Sequence, residues 1–133
     1  MKSSLLGLLF AVISFSAQAV EECPVQFGNS DYIEKVAELA TNSSSCYEAS
    51  EIVTACALGA SGDVFTVGAA IARCEKDLPT MSAADKKTYD YLNEKCSDKY
   101  SSMSGSMYRS MNVFCHLSVS KLFTDLLVTY ETP

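Results

Sequence analysis

The chain has no tryptophan and one histidine, His116, in 133 residues. A single imidazole leaves little scope for His-based chemistry. His116 follows Cys115 directly, and neighbouring side chains on a helix diverge by about 100°, so the two do not make a nucleophile–base pair. Close cysteine pairs are also missing. The nearest two, Cys46 and Cys56, are ten residues apart, whereas zinc sites need spacings such as C-x-x-C. No Gly-rich phosphate loop, Gly-x-Ser-x-Gly or His-Glu-x-x-His occurs. Carboxylate pairs such as Glu21–Glu22 have no apolar wall to raise a pKa. These absences argue against an enzyme, and against a cofactor or metal.

Positive charge is scarce too. Ten Lys and Arg face sixteen Asp and Glu. Nucleic acid and anionic membrane both need a basic face, so neither is expected as a partner. Period-2 alternation and solenoid repeats are absent, which leaves an all-α class. Beyond the first twenty residues no run is apolar enough to span a bilayer.

The first apolar run has another reading. Lys2 precedes the stretch Leu5 to Phe15, and Ala17-Gln18-Ala19 fits the small-x-small cleavage rule. Residues 1–19 are therefore expected to be a signal peptide, with residues 20–133 a single soluble domain, secreted or periplasmic and monomeric. That domain keeps nine basic against sixteen acidic residues, a net charge of −7, which suits a basic protein partner.

All six cysteines lie in the mature part, which reads as three disulfides in an oxidising compartment. Five helices can be placed between them. The first is expected at about Asp31–Thr41, capped by Ser30 or Asp31, with Glu34 three residues after Asp31 as in a capping box and Ile33, Val36, Ala37 and Ala40 on one face. Asn42-Ser43-Ser44, also a glycosylation sequon, reads as a turn. The second starts at Ser45, with Glu48 at the box position, and its stripe runs from Ala49 through Ile52, Val53, Cys56 and Ala57 to Ala60. The third follows Asp63 as N-cap and runs to Asp77, with Val64, Val67, Ile71, Cys74 and Leu78 as its stripe. The fourth starts at Ser82 and carries Tyr89, Leu92, Cys96 and Tyr100, with Lys86, Lys87, Asp90, Glu94 and Lys95 as a solvated face. The fifth lies in the longest amphipathic stretch, Ser102–Tyr130, capped by Ser104 or Ser106. Its wide arc of Met107, Met111, Phe114, Cys115, Leu117, Ser118, Leu122, Leu126 and Leu127 suggests the central helix of a disulfide-stapled bundle.

Short turns make neighbouring helices antiparallel, and residues equidistant from a turn then face each other. Cys46 and Cys74 centre on Ala60; Cys96 and Cys115 centre on Gly105–Ser106. Among fifteen possible connectivities, this selects Cys46–Cys74 and Cys96–Cys115 and leaves Cys23–Cys56. Each bridge is worth about 2–4 kcal/mol.

Two clusters are candidates for binding. Met103, Met107 and Met111, with His116 beyond them, offer thioether and imidazole groups of the kind Cu(I) takes; methionines at helical spacing otherwise read as gap-filling core. Ser104-Gly105-Ser106 opens the fifth helix, where free N–H groups can hold an anion or a carboxylate.

From Leu78 onward the chain resembles the LprI-like family of small secreted domains related to lysozyme inhibitors. The resemblance is carried by Leu78, Met81-Ser82, Gly105-Ser106-Met107, Cys115 and Leu122–Leu126, with Glu51, Cys56 and Asp63 upstream. It covers about half the chain. The family's tryptophan is missing, with Cys96 and Lys99-Tyr100 near its place; Ser104 stands for a second glycine, and the tail arginine is either replaced by Lys121 or absent. The resemblance implies a binding domain whose partner is a basic lysozyme-type muramidase with an acidic cleft. The contact tip would be Ser104, Gly105, Ser106 and Tyr108, with Arg109 beside it. Ser104, Gly105 and Tyr108 also resemble the Ser-Gly-x-x-Tyr motif of an unrelated β-barrel class of lysozyme inhibitor. A structural or envelope-interaction domain with no enzyme target is the alternative, and a Met/His copper binder a further one.

Overall fold

Serine hydroxyls fix where two of the helices begin. Ser45 Oγ accepts from the Glu48 N–H at 3.1 Å, and Ser82 Oγ accepts from the Asp85 N–H at 3.1 Å, each satisfying a first-turn donor that has no partner within its own helix. The computed structural model describes residues 22–131 and, among them, five helices and no strand: α1 Tyr32–Asn42, α2 Cys46–Ala55, α3 Asp63–Asp77, α4 Ala83–Ser101 and α5 Ser106–Glu131. The protein is an all-α, disulfide-stapled bundle. The expected signal peptide, residues 1–19, lies outside the described residues. No helix among the described residues is long and apolar enough to cross a membrane.

The bridges are Cys46–Cys74 and Cys96–Cys115, the two pairs that equal spacing about a turn selects, and Cys23–Cys56, the pair then left over. They divide the bundle into two parts. The first is a core of α1, α2 and α3 around Val36, Val53, Val67 and Cys74, all fully buried, with Ala40, Ala49 and Ala70 between them. Small side chains let these helices lie close. A Cβ on Gly62 would stand 2.9 Å from Ile33 Cδ1, so glycine there keeps the start of α3 against the start of α1. The second part is α4, which packs against α5 alone and buries a single residue, Cys96. Its contacts are the second cluster, Val119 and Phe123 of α5 with Tyr89, Leu92 and Leu78. Tyr89 and Phe123 meet edge to face, with ring centres 5.2 Å apart.

Helix α5 joins the two parts, and here the expected pattern needs correction. Leu117 packs into the α1–α3 core and Phe123 against α4. Met107, Met111, Leu122 and Leu126 are exposed, as is Met103 in the turn before the helix, so the methionines are not core filling. The apolar arc of α5 is wider than its two covers. The core and α4 take two faces and leave a third in water. Positions that read as polar, Ser110, Ser120 and Thr124, are buried instead. Each is hydrogen-bonded: Ser120 Oγ lies 3.0 Å from Tyr89 OH, and Thr124 Oγ1 donates to the Ser120 carbonyl.

Other expectations shift locally. α2 ends at Ala55, so Ala57 is exposed rather than part of a stripe. Val64 is exposed on α3. Asp31 makes no side-chain cap and pairs with Lys35 at 2.9 Å. The Glu48 carboxylate reaches back to the N–H and hydroxyl of Ser44, one residue short of a reciprocal capping box.

At the far end of the core, Arg73 of α3 clamps the α1–α2 turn. Its guanidinium donates to the carbonyls of Ser43 and Ser44 and to the Asp77 carboxylate, 2.6–2.8 Å away. Asp77 also accepts from the Cys46 N–H at 2.8 Å. Burial pushes the Asp77 carboxyl up; the hydrogen bonds from Arg73 and Cys46, and the charge of Arg73, outweigh it and hold the group below the usual carboxylate range.

Candidate functional site

The α4–α5 turn presents the residues singled out in the sequence. α4 closes with the Met103 N–H donating to the Tyr100 carbonyl at 3.0 Å. Gly105 then takes φ +120°, a conformation side-chain-bearing residues rarely adopt. Its carbonyl accepts from the Arg109 N–H at 3.4 Å, which starts α5 at Ser106. The first-turn N–H groups of α5 therefore face out of the bundle end.

Every residue from Ser101 to Met107 is exposed, and so is Arg109; Tyr108 is half-buried. The Tyr108 ring flanks Gly105, with Cδ2 4.0 Å from where a Cβ would stand. Ser104, Ser106, Tyr108 and Arg109 make no side-chain hydrogen bond or ion pair among the described residues. The turn thus gathers three hydroxyl groups and one guanidinium, all without internal partners, around a backbone kink.

The support beneath this tip was not foreseen. Ser110, one turn into α5, donates to Asp63 Oδ2 at 2.6 Å. Asp63 is 1% exposed and also accepts from the N–H groups of Leu58, Gly59 and Ala60 at 2.8, 2.9 and 3.3 Å. It was expected to be a forward N-cap. It lies inside α3 and its carboxylate turns back over the α2–α3 turn. One buried carboxylate therefore ties three elements together at the end of the bundle that carries the tip. An Asp followed by an apolar stripe reads as a cap in sequence; only the fold shows a serine 47 residues away completing the set.

Cys96–Cys115 fixes the hairpin further along, and His116 lies beside it. Asn93 Nδ2 donates to the Tyr89 carbonyl, which turns Asn93 Oδ1 towards His116 Nδ1, 2.7 Å away. The ring proton then sits on Nδ1, and Nε2 accepts from Ser97 Oγ at 3.3 Å. Burial holds the imidazole below its ordinary pKa. Both ring nitrogens are thus engaged with α4. Met111 and His116 are five residues apart, about 140° around the helix, so the methionines and the imidazole do not converge. Among the described residues, no group of three or more His, Cys, Asp or Glu is placed to hold a metal ion.

The charge is unevenly spread. Between Glu22 and Asp77 nine acidic residues stand against three basic ones; from Leu78 to Glu131 the numbers are six and six. The net acidity belongs to the α1–α3 part. The tip lies in the neutral part and carries Arg109.

No family model matches the chain, and neither does any curated protein or solved structure.

Proposed function

We propose that this is an exported, non-enzymatic binding domain that inhibits or senses a basic lysozyme-type muramidase through the α4–α5 tip. The observation that carries the reading is the tip itself: Ser104, Ser106, Tyr108 and Arg109 lie around the Gly105 kink, and their side chains have no polar partner among the described residues. Groups left open in this way, on a hairpin held by a disulfide and by Ser110–Asp63, lose little freedom on binding. The charge distribution fits a division of labour. The acidic α1–α3 part would speed encounter with a basic enzyme, while Arg109 would enter its acidic cleft. Three disulfides agree with an oxidising compartment and hence with export.

The test is a lysis assay with oxidised residues 20–133 and lysozymes of several classes. The double variant Ser106→Ala/Tyr108→Ala is expected to raise the half-inhibitory concentration by about tenfold or more, as for loss of a central aromatic anchor. Unchanged inhibition by that variant would remove the tip assignment.

A structural or envelope-interaction role is favoured by one other observation, the exposed stripe of Met107, Met111, Leu122 and Leu126 along α5. Inertness towards every lysozyme class, together with retained binding to envelope material, would select it.

A further inference from the structure

A second surface lies on the acidic part of the molecule, away from the tip. Helices α1 and α3 run side by side, and between them is an open groove of about 490 Å³. Its floor is apolar and exposed: Phe65 is 61% accessible and Val64 46%. Gly68 and Ala69 continue the floor one turn on, and beyond the local helix backbone and its chain neighbours nothing lies within 4 Å of where a Gly68 Cβ would be. Its wall is acidic. Glu34 and Glu38 stand one turn apart on α1, and neither is in an ion pair among the described residues.

No Lys or Arg lines the groove. Of the three bases in this part of the chain, Lys35 is paired with Asp31 and Arg73 with Asp77. Lys76 lies on the Phe65 side of α3, but eleven residues on, about 16 Å away. Apolar floor and carboxylate wall together define the occupant. An acidic chain or an anionic membrane would be repelled. A symmetric contact with a second copy would set Glu34 and Glu38 against their own counterparts.

We propose that the α1–α3 groove docks a basic amphipathic helix of a partner protein. Apolar side chains at i, i+3 and i+4 of that helix lie over Phe65, with Gly68 allowing its backbone close. Lys or Arg on the flank pairs with Glu34 and Glu38. This surface is separate from the tip and does not rest on the muramidase reading.

The probe is a fluorescein-labelled amphipathic peptide of Leu and Lys, about 18 residues or five turns long. Its anisotropy is followed with oxidised residues 20–133. Saturable binding is expected. Glu34→Lys/Glu38→Lys and Phe65→Ala should each weaken it by about tenfold, and raising salt from about 50 to 500 mM should weaken it severalfold. Ser106→Ala/Tyr108→Ala should leave it unchanged, as should Asp90→Lys/Glu94→Lys on α4. The substituted groove residues are exposed, and far-UV circular dichroism checks that each variant is folded. Four results would overturn the proposal: no saturable binding; equal loss with the α4 charge reversal; equal binding of a Leu/Glu peptide or of anionic vesicles; or a concentration-dependent dimer by sedimentation that Phe65→Ala abolishes.

Discussion

Asp63 is the residue on which the tip end of the bundle depends. Its carboxylate is buried with no cationic partner among the described residues, and what stabilises it there is four donors: three backbone N–H groups and the Ser110 hydroxyl. Asp63→Ala would leave those donors facing a cavity. We expect it to lower unfolding free energy by about 3 kcal/mol or more, and Ser110→Ala by about 1 kcal/mol; urea denaturation with an unchanged m-value checks both. Near-equal losses would show that the N–H groups find other partners. Two other residues contribute to the acid sensitivity of the fold, beside the surface carboxylates Asp31 and Glu48, which are also held low. Asp77 and His116 both have folded-state pKa values below their ordinary ones, so each favours the folded state above its unfolded pKa, and that contribution is lost as pH falls. For His116 the loss begins below about pH 6.5, and for Asp77 below about pH 4. Stability followed from pH 7 to 3 should begin to fall below about pH 6.5, and His116→Gln should remove that first decline while leaving the loss below about pH 4 to the carboxylates.

At the scale of elements, α4 is the part with least support. It touches α5 alone, buries only Cys96, and owes its place to the disulfide, to Tyr89–Phe123 and to the polar contacts of Asn93 and Ser97 with His116. Cys96→Ser/Cys115→Ser should therefore raise amide exchange along α4 and the tip while α1–α3 keeps its protection; uniform loss of protection would mean that the bundle unfolds as one unit. Phe123→Ala should cost about 3–5 kcal/mol, because this ring is the centre of the second cluster. The helices themselves were legible in the sequence. Ser45 and Ser82 marked two starts, and equal spacing about a turn selected two of the three disulfides that the structure contains and left Cys23–Cys56 as the third. What could not be read was which part of a wide apolar arc would be covered. The α5 pattern is apolar on three sides, and its faces are chosen by tertiary partners, so Met107, Met111, Leu122 and Leu126 fell in the arc and lie in water. Ser110 and Ser120 were missed because their burial depends on a partner distant in sequence, Asp63 and Tyr89, and so was Tyr32, which is buried in the core with its hydroxyl donating to the Cys56 carbonyl at 2.8 Å. The tip residues were legible as a helix start with a glycine, but that their side chains are unpartnered could not be read from spacing.

At the scale of the whole molecule, two kinds of surface sit on two parts of one bundle. The α1–α3 part is acidic and closely packed around small side chains; the α4–α5 hairpin is neutral overall and projects a polar tip. On the proposed function, steering would fall to the acidic part and contact to the tip, which gives the two different signatures. Charge reversal of Glu34 and Glu38 should slow association with a basic enzyme and make it less salt-sensitive, with little change in dissociation rate. Changes at the tip should act mainly on dissociation. Gly105→Ala probes the tip's shape without removing any polar group, because alanine is strained at φ +120°; weaker inhibition with an unchanged fold is the expected result. The measurement that bears most directly on the central claim is turbidity of a peptidoglycan suspension treated with lysozymes of several classes, with and without oxidised residues 20–133. The account predicts dose-dependent loss of lysis at near-stoichiometric amounts for at least one class. Full lysis by every class at a large molar excess would contradict it.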